Sequence, residues 1–406
     1  PDRAKTTAAM GSNNNAALSI LVIVIAIVVQ FALMSHPYET DPFTIGSLAR
    51  AAVDPKPAPL EGVVAVITGV TSGLGYETTK TLMQQGCTVV GVGRNPSSLR
   101  RTGDDFSSFP GRFVPVVADL SDLSAVSKAS DAILDQFPAI DYLVNNAGIH
   151  YGAPWKSHEI EIASATKGLD KCFVTNYLSH FLLTEKLLPA LEKSNVASPR
   201  IIQVSSTYHW LSDGFSLASS EASPVPLAAR GDFYDYRHRA TAYGNSKLAQ
   251  VLHALALDRR LSAEGSKVSV VSVCPAWVGT DIAPEGFMRT VVKTFAFSTE
   301  QGIYSLLNAM FRPEVKSGDF VGNTNVVTHF PMKSTLITSN LKLNLGKTLG
   351  VVHMREQFTD TLAMVLMAVQ RFTFGWYIQK SSPESYDEEL QENLWEWSKA
   401  TVKEWM

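Results

Sequence analysis

Cysteine is scarce in this chain: Cys87, Cys172 and Cys274 are the three in 406 residues. None forms a C-x-x-C pair, and an odd, scattered set is no disulfide framework. Core thiols are the expectation, and no metal site is expected. A strong charge of either sign is also lacking, because 35 basic residues face 38 acidic ones for a net charge of -3. That balance argues against a nucleic-acid partner, and the absence of charge runs argues against a charged tail. Internal repeats are missing too.

Long apolar runs are absent with one exception. Ala16 to Met34 carries no charge and is dense in aliphatics from Ile20 to Ile25. At about 1.5 Å per residue such a helix approaches the roughly 30 Å hydrocarbon core of a bilayer. Phe31-Ala32-Leu33-Met34-Ser35 offers no small-x-small exit, so an uncleaved single-span anchor is expected, with a signal peptide or transit sequence as the alternatives. A single-pass protein of the endoplasmic reticulum is the expectation, another organellar membrane the alternative. Arg3 and Lys5 before the span, against Arg50 and Lys56 beyond it, set no orientation.

Residues 1–15 form a tail, 16–34 the anchor and 35–60 a proline-rich spacer with Pro37, Pro42, Pro55, Pro57 and Pro59. From Glu61 short aliphatic runs alternate with helical patterns. The strand candidates are 63–68, 88–92, 112–118, 142–145, 200–205, 267–273 and 319–321. Helical stretches are expected at 76–85, 123–136, 176–193 and 243–261. This alternation predicts an α/β fold with a doubly wound parallel sheet of the Rossmann type over 61–325. Residues 207–242 interrupt it as an insertion. Residues 326–406 read as an apolar and helical extension, in which 361–378 is a packing or interfacial helix and Ser382-Pro383-Glu384 starts the last helix.

Tyr243 and Lys247 lie four residues apart, on one face of a predicted helix. A nearby ammonium stabilises a phenolate and lowers the phenol's pKa from about 10, fitting it to exchange a proton with an alcohol or carbonyl oxygen. Upstream, the strand ending at Thr68 runs into Gly69-Val70-Thr71-Ser72-Gly73-Leu74-Gly75 and a helical pattern. Glycines in this context allow a tight turn and close backbone approach to a pyrophosphate, whose charge meets the helix amino terminus. The second strand ends at Arg94, where an arginine accommodates the 2'-phosphate of NADP(H) and argues for it over NADH. Asp119 and Leu120 border the adenine position. Asn145-Asn146-Ala147-Gly148 closes the fourth strand with residues small enough to leave room for a nucleotide.

Together these pieces resemble the short-chain dehydrogenase/reductase superfamily over roughly 62–321. The carrying motifs are Thr68-Gly69-x-x-x-Gly73-x-Gly75, Asn145-Asn146-Ala147-Gly148, Asn176 in Val174-Thr175-Asn176-Tyr177, Ser205-Ser206, and Tyr243-x-x-x-Lys247. Residues 172–184 and Leu390-Gln391-Glu392-Asn393-Leu394-Trp395 look most like the retinol-dehydrogenase-like branch. The resemblance implies that Tyr243 is the proton donor in reduction and that Lys247 lowers its pKa and holds the nicotinamide ribose. It implies that Ser206, or its neighbour Ser205, binds the substrate oxygen, and that Asn176 positions a water leading from Lys247 to solvent. The family's Pro-Gly stands here as Pro275-Ala276, followed by Val278 and Thr280 near the cofactor.

The expected activity is hydride transfer between NADP(H) and the carbonyl or alcohol of a lipophilic molecule such as a retinoid or steroid, in a chain that is a possible homodimer. A catalytically silent nucleotide-binding scaffold and a tetrapyrrole reductase are the rival readings.

Overall fold

Aliphatic runs bounded by turn residues become the strands of one sheet, and the longer patterns between them become helices on both its faces. The computed structural model describes residues 60–150, 169–212, 239–280, 296–323 and 377–406. The expected anchor at 16–34, the spacer up to residue 59, residues 213–238 of the insertion and residues 324–376 lie outside them. Among the described residues no helix is long and apolar enough to cross a membrane.

Seven strands run parallel: β1 Val64–Thr68, β2 Thr88–Gly93, β3 Arg112–Val117, β4 Tyr142–Asn145, β5 Arg200–Val204, β6 Ser269–Cys274 and β7 Phe320–Gly322. An eighth, β8 Tyr377–Gln379, pairs antiparallel with β7, setting Phe320 opposite Gln379. Their order is β3-β2-β1-β4-β5-β6-β7-β8, so the winding reverses between β1 and β4. Ligands of open α/β sheets bind at such a reversal, outside the carboxyl ends of the strands. The doubly wound sheet predicted from the sequence is present, with β8 as its antiparallel edge.

Alternate residues of each strand point to opposite faces, which builds two cores. One joins Val66, Val90, Leu143, Ile201 and Val270 to helices α3 Leu123–Gln136, α4 Ser179–Glu192 and α5 Arg239–Ala263. The other joins Ala65, Ile67, Val89, Val144 and Val271 to α1 Gly73–Gln84, α2 Pro96–Asp105 and α6 Tyr304–Phe311. All three cysteines are buried thiols outside any disulfide. Burial pushes the thiols of Cys87 and Cys274 up to about 12 and about 11, which makes them inert core groups.

The stretch 361–378 does not end as a helix: its last two residues belong to β8. Nor does the domain stop at 325, because β8 completes the sheet and α7 Glu388–Val402 closes the first core. Trp395 packs edge-on against Phe181 at 5.2 Å, and the Arg260 guanidinium lies 4.0 Å from the centre of the Trp395 ring. Arg260 also grips both Glu392 oxygens, at 2.6 and 2.8 Å. Near the end of the chain, the Trp405 carbonyl accepts a hydrogen bond from Ser127 on α3 at 2.6 Å.

Candidate active site

The turn after β1 takes its shape from glycine. Gly69 and Gly73 have φ of +75° and +58°, a region costly to other residues. A Cβ on Gly75 would lie 2.2 Å from the Gly69 carbonyl oxygen and 2.5 Å from Asn146 Nδ2. Ser72 caps α1 without a side-chain hydrogen bond, which leaves the first-turn N–H groups of Gly73, Leu74 and Gly75 to a ligand. The residues of this turn fit the dinucleotide expected there: open backbone donors, a helix amino terminus, and glycines where a Cβ would crowd the turn.

Thr68 ties the turn to the fourth strand. Its Oγ1 accepts from the backbone N–H groups of Asn146 and Ala147 at 3.0 and 2.9 Å, while Asn146 Nδ2 donates to the Thr68 carbonyl at 2.8 Å. The remaining Thr68 proton points to His180 Nε2, 2.9 Å away. His180 Nδ1 donates to the Asn176 carbonyl at 2.9 Å, so the neutral tautomer with hydrogen on Nδ1 satisfies every partner. Burial holds this imidazole down at about 4, as neutrality requires.

Around the turn stand the other expected cofactor residues. Arg94 is exposed at the end of β2, where Asn95 caps α2 immediately afterwards. Asp119 follows β3; burial opposes its charge, but the Ser121 backbone and hydroxyl donors, with Lys171 and Arg94, hold its carboxyl below the usual range. Leu120 is buried beside it. Thr280 reaches across to Gly73, where a Cβ would lie 3.2 Å from its methyl group. Asn323 Nδ2 lies within 3.2 Å of the carbonyl oxygens of Pro275, Gln301 and Gly302. Gly302 in turn packs against both Leu74 and Val278. Ala276 has φ of +63°, the left-handed conformation in which the family pattern has glycine.

The catalytic candidates converge from three elements. Tyr243 and Lys247 project from α5, and Ser206 follows β5 with its hydroxyl beside the Tyr243 phenol, whose ionisation it favours. Ser205 is excluded as the substrate-binding serine, since its buried hydroxyl donates to the Lys247 carbonyl at 2.8 Å. Lys247 Nζ donates to the Val204 carbonyl at 2.8 Å and to Gln250 Oε1 at 3.0 Å. It sits 5.5 Å from the centre of the Tyr243 ring. Burial lowers Lys247 to about 8.

The same burial pushes the Tyr243 phenol above its ordinary value, with Cys172 and Tyr208 adding to the rise and the Ser206 hydroxyl opposing it. Desolvation therefore sets the direction here, the reverse of the direction read from the Tyr-Lys spacing alone.

Asn176 sits in a π-helical turn, Val174–Leu178, rather than at a helix cap. Such turns recur at functional sites because they re-aim a side chain. Its Oδ1 accepts from the Ile149 N–H at 2.8 Å and its Nδ2 donates to the Ile149 carbonyl at 3.0 Å, clamping the chain just past Gly148. A Cβ on Gly148 would lie 3.3 Å from Asn176 Oδ1 and 3.5 Å from Lys247 Nζ, so Gly148 opens this corner of the site.

Four site residues escaped sequence reasoning. His150 stands 4.6 Å from the Tyr243 ring and Tyr208 5.5 Å, both edge-on, and they wall the phenol on its outer side. His180 and His209 support the backbone behind it. Each lies two to four residues from a motif residue, which was the available signal.

The comparisons agree with this geometry. The family model for short chain dehydrogenase matches residues 63–213. Human polyprenol dehydrogenase is 29% identical over 291 residues, covering 69% of this chain and 81% of that protein. Human retinol dehydrogenase 11 is 30% identical over 276 residues, covering 66% of this chain and 79% of that one. A solved structure of an uncharacterised protein from Mycobacterium paratuberculosis shares the fold with a TM-score of 0.57 at 24% identity, over 87% of this chain and 97% of its own. With its phosphate turn, Ser206, Tyr243 and Lys247 set at the carboxyl ends of one sheet, the chain belongs to the short-chain dehydrogenase/reductase family, on its retinol-dehydrogenase-like branch, as an oxidoreductase of CH–OH and C=O groups.

Proposed function

We propose that this chain reduces the carbonyl group of a lipophilic substrate with NADPH, and runs the reverse oxidation with NADP+, while anchored to a membrane through residues 16–34. The convergence of Ser206, Tyr243 and Lys247 carries this reading, with Lys247 Nζ 5.5 Å from the centre of the Tyr243 ring and the Ser206 hydroxyl beside the phenol. When bound, the nicotinamide supplies the hydride to the carbonyl carbon. Thr68, Asn146 and the glycine turn would hold the pyrophosphate, and Arg94 the 2'-phosphate. Ser206 orients the substrate oxygen. Tyr243, kept protonated by its burial, gives that oxygen its proton as the C–O bond becomes an alcohol. Lys247, cationic below about pH 8, faces the phenol from beneath and offsets the charge left by the departing proton.

The aromatic wall of His150 and Tyr208 gives an apolar approach to Tyr243. The polyprenol and retinol relatives act on long apolar alcohols by name, which supports a lipid substrate for this chain. A panel of retinal, polyprenal and steroid ketones, assayed with NADPH and NADH, tests the proposal. Turnover is expected on lipid carbonyls, and Tyr243→Phe is expected to lower kcat about 100- to 10,000-fold with NADPH binding retained. Arg94→Ala should raise KM for NADPH while leaving KM for NADH nearly unchanged. Activity confined to small polar sugars, or Tyr243→Phe turning over at the wild-type rate, would sink the reading.

A further inference from the structure

His209 follows Ser206 by three residues, within the tight helical turn Thr207–Leu211 that Ser206 caps. The Ser206 carbonyl accepts twice from this one residue, from the His209 backbone N–H at 3.0 Å and from ring Nδ1 at 2.6 Å. A carbonyl oxygen can only accept, so Nδ1 carries the ring proton and Nε2 offers its lone pair. The backbone N–H of Ser382 donates to that lone pair at 3.0 Å. One face of the ring packs on Phe320 of β7, with centroids 5.0 Å apart.

We propose that His209 is a positioning residue for Ser206, acting through the Ser206 carbonyl, and that the Ser382 N–H of the C-terminal segment is the second half of the device. The proposal rests on Ser206 working in the reaction set out above. The imidazole is a rigid spacer between two backbones. Its far end is fixed because Ser382 follows β8, whose Gln379 pairs with the same Phe320 that supports the ring. The Ser206 peptide therefore cannot turn without breaking a short hydrogen bond, and its hydroxyl keeps its place beside the phenol. The groups around the ring are the Ser206 carbonyl, the Phe320 phenyl and, from the C-terminal turn, Glu384. Burial outweighs the Ser206 and Glu384 contributions and holds the imidazole down at about 4, so it stays neutral through the physiological range.

Ser382→Pro isolates the joint. Ser382 has φ of -61° and ψ of 151°, both acceptable to proline, so the backbone accepts a change that removes the N–H and sets the proline Cδ against Nε2, forcing the two apart. Ser382→Ala keeps the N–H and serves as the conservative control. For Ser382→Pro in the full chain, kcat is expected to fall about tenfold or more with KM for NADPH within about twofold. The acid limb of its kcat profile should rise toward the ordinary imidazole value, because an imidazole displaced from the Ser382 backbone can take a proton on Nε2. Ser382→Ala should match the wild type in both. Histidine-labelled NMR of the wild-type protein should show His209 neutral, with hydrogen on Nδ1, down to about pH 5.

Wild-type kcat and pH profile in Ser382→Pro, or a His209 signal with hydrogen on Nε2, overturns the proposal. If Ser382→Pro does not fold, the NMR tautomer still decides. Absence of turnover on every lipid carbonyl by the wild type would instead defeat the functional reading, and the NMR result would stand apart from it.

Discussion

Ala276 shows how one side chain records a compromise. It occupies the left-handed region at φ +63°, where a Cβ crowds the following carbonyl. Ala276→Gly is expected to relieve about 1 kcal/mol of strain, offset in part by the extra freedom glycine has when unfolded. A rise in the urea midpoint measures it, and a lower midpoint would show that the alanine methyl packs usefully. The candidate catalytic residues were legible from spacing because the pattern is local: a phenol and an ammonium one turn apart, a serine at a strand end. Their electrostatics were not. Whether desolvation or the ammonium governs the Tyr243 phenol depends on burial beneath Tyr208 and beside Cys172, which no spacing reveals.

Between elements, the C-terminal segment holds the catalytic parts in relation to one another. Tyr177, in the π-turn that carries Asn176, has its hydroxyl 2.7 Å from Ser398 Oγ on α7. Arg260, on the helix that carries Tyr243 and Lys247, grips Trp395 and Glu392 of the same α7. Arg260→Ala should lower stability by about 1–2 kcal/mol, mostly through the lost cation–π contact, since the exposed ion pair adds little. Urea unfolding checks this, and an unchanged midpoint would mean that α7 docks through its apolar face alone. Gly75→Ala is the corresponding test of the phosphate turn. Its methyl would meet the Gly69 carbonyl at 2.2 Å, and NADPH affinity is expected to fall at least about tenfold by fluorescence titration.

Element legibility followed periodicity. The parallel strands were readable as aliphatic runs, close to their observed bounds. Helix α2 was not, because Pro96–Asp105 is almost wholly polar and buries only Leu99 and Thr102. Strand β8 was hidden in an apolar stretch whose pairing with β7 is decided by a partner more than fifty residues away. Likewise, Ser382 meets His209 across 173 residues of sequence, so the joint behind Ser206 could not be read from either motif alone.

At the scale of the whole molecule, among the described residues, three buried histidines and the half-buried His150 make the fold sensitive to acid. Burial holds His150, His180 and His209 at about 4 and His253 at about 3. Unfolded, each would titrate near 6.5. Above that value both states are neutral and pH has no leverage through these groups. Below it the unfolded chain binds protons that the folded chain refuses, so stability falls with pH until about 4. Each proton contributes a slope of about 1.4 kcal/mol per pH unit. Urea midpoints at pH 7.5, 6 and 5 should therefore drop steeply, and equal midpoints at pH 7 and 5 would contradict the arrangement.

The bond from Ser127 to the Trp405 carbonyl, and the pairing of β7 with β8, also set an order in time. When synthesis has passed Lys247, every catalytic side chain has been made, yet β8 and α7 do not exist. A nascent chain that has gone on to complete β7 carries an open strand edge. It also carries an uncovered aromatic face at Tyr177, Phe181 and His253, which α7 has yet to reach through Trp395. The translating ribosome thus holds this enzyme in its most adhesive form after its chemistry is already encoded, and a chaperone has the whole stretch between β7 and β8 in which to act.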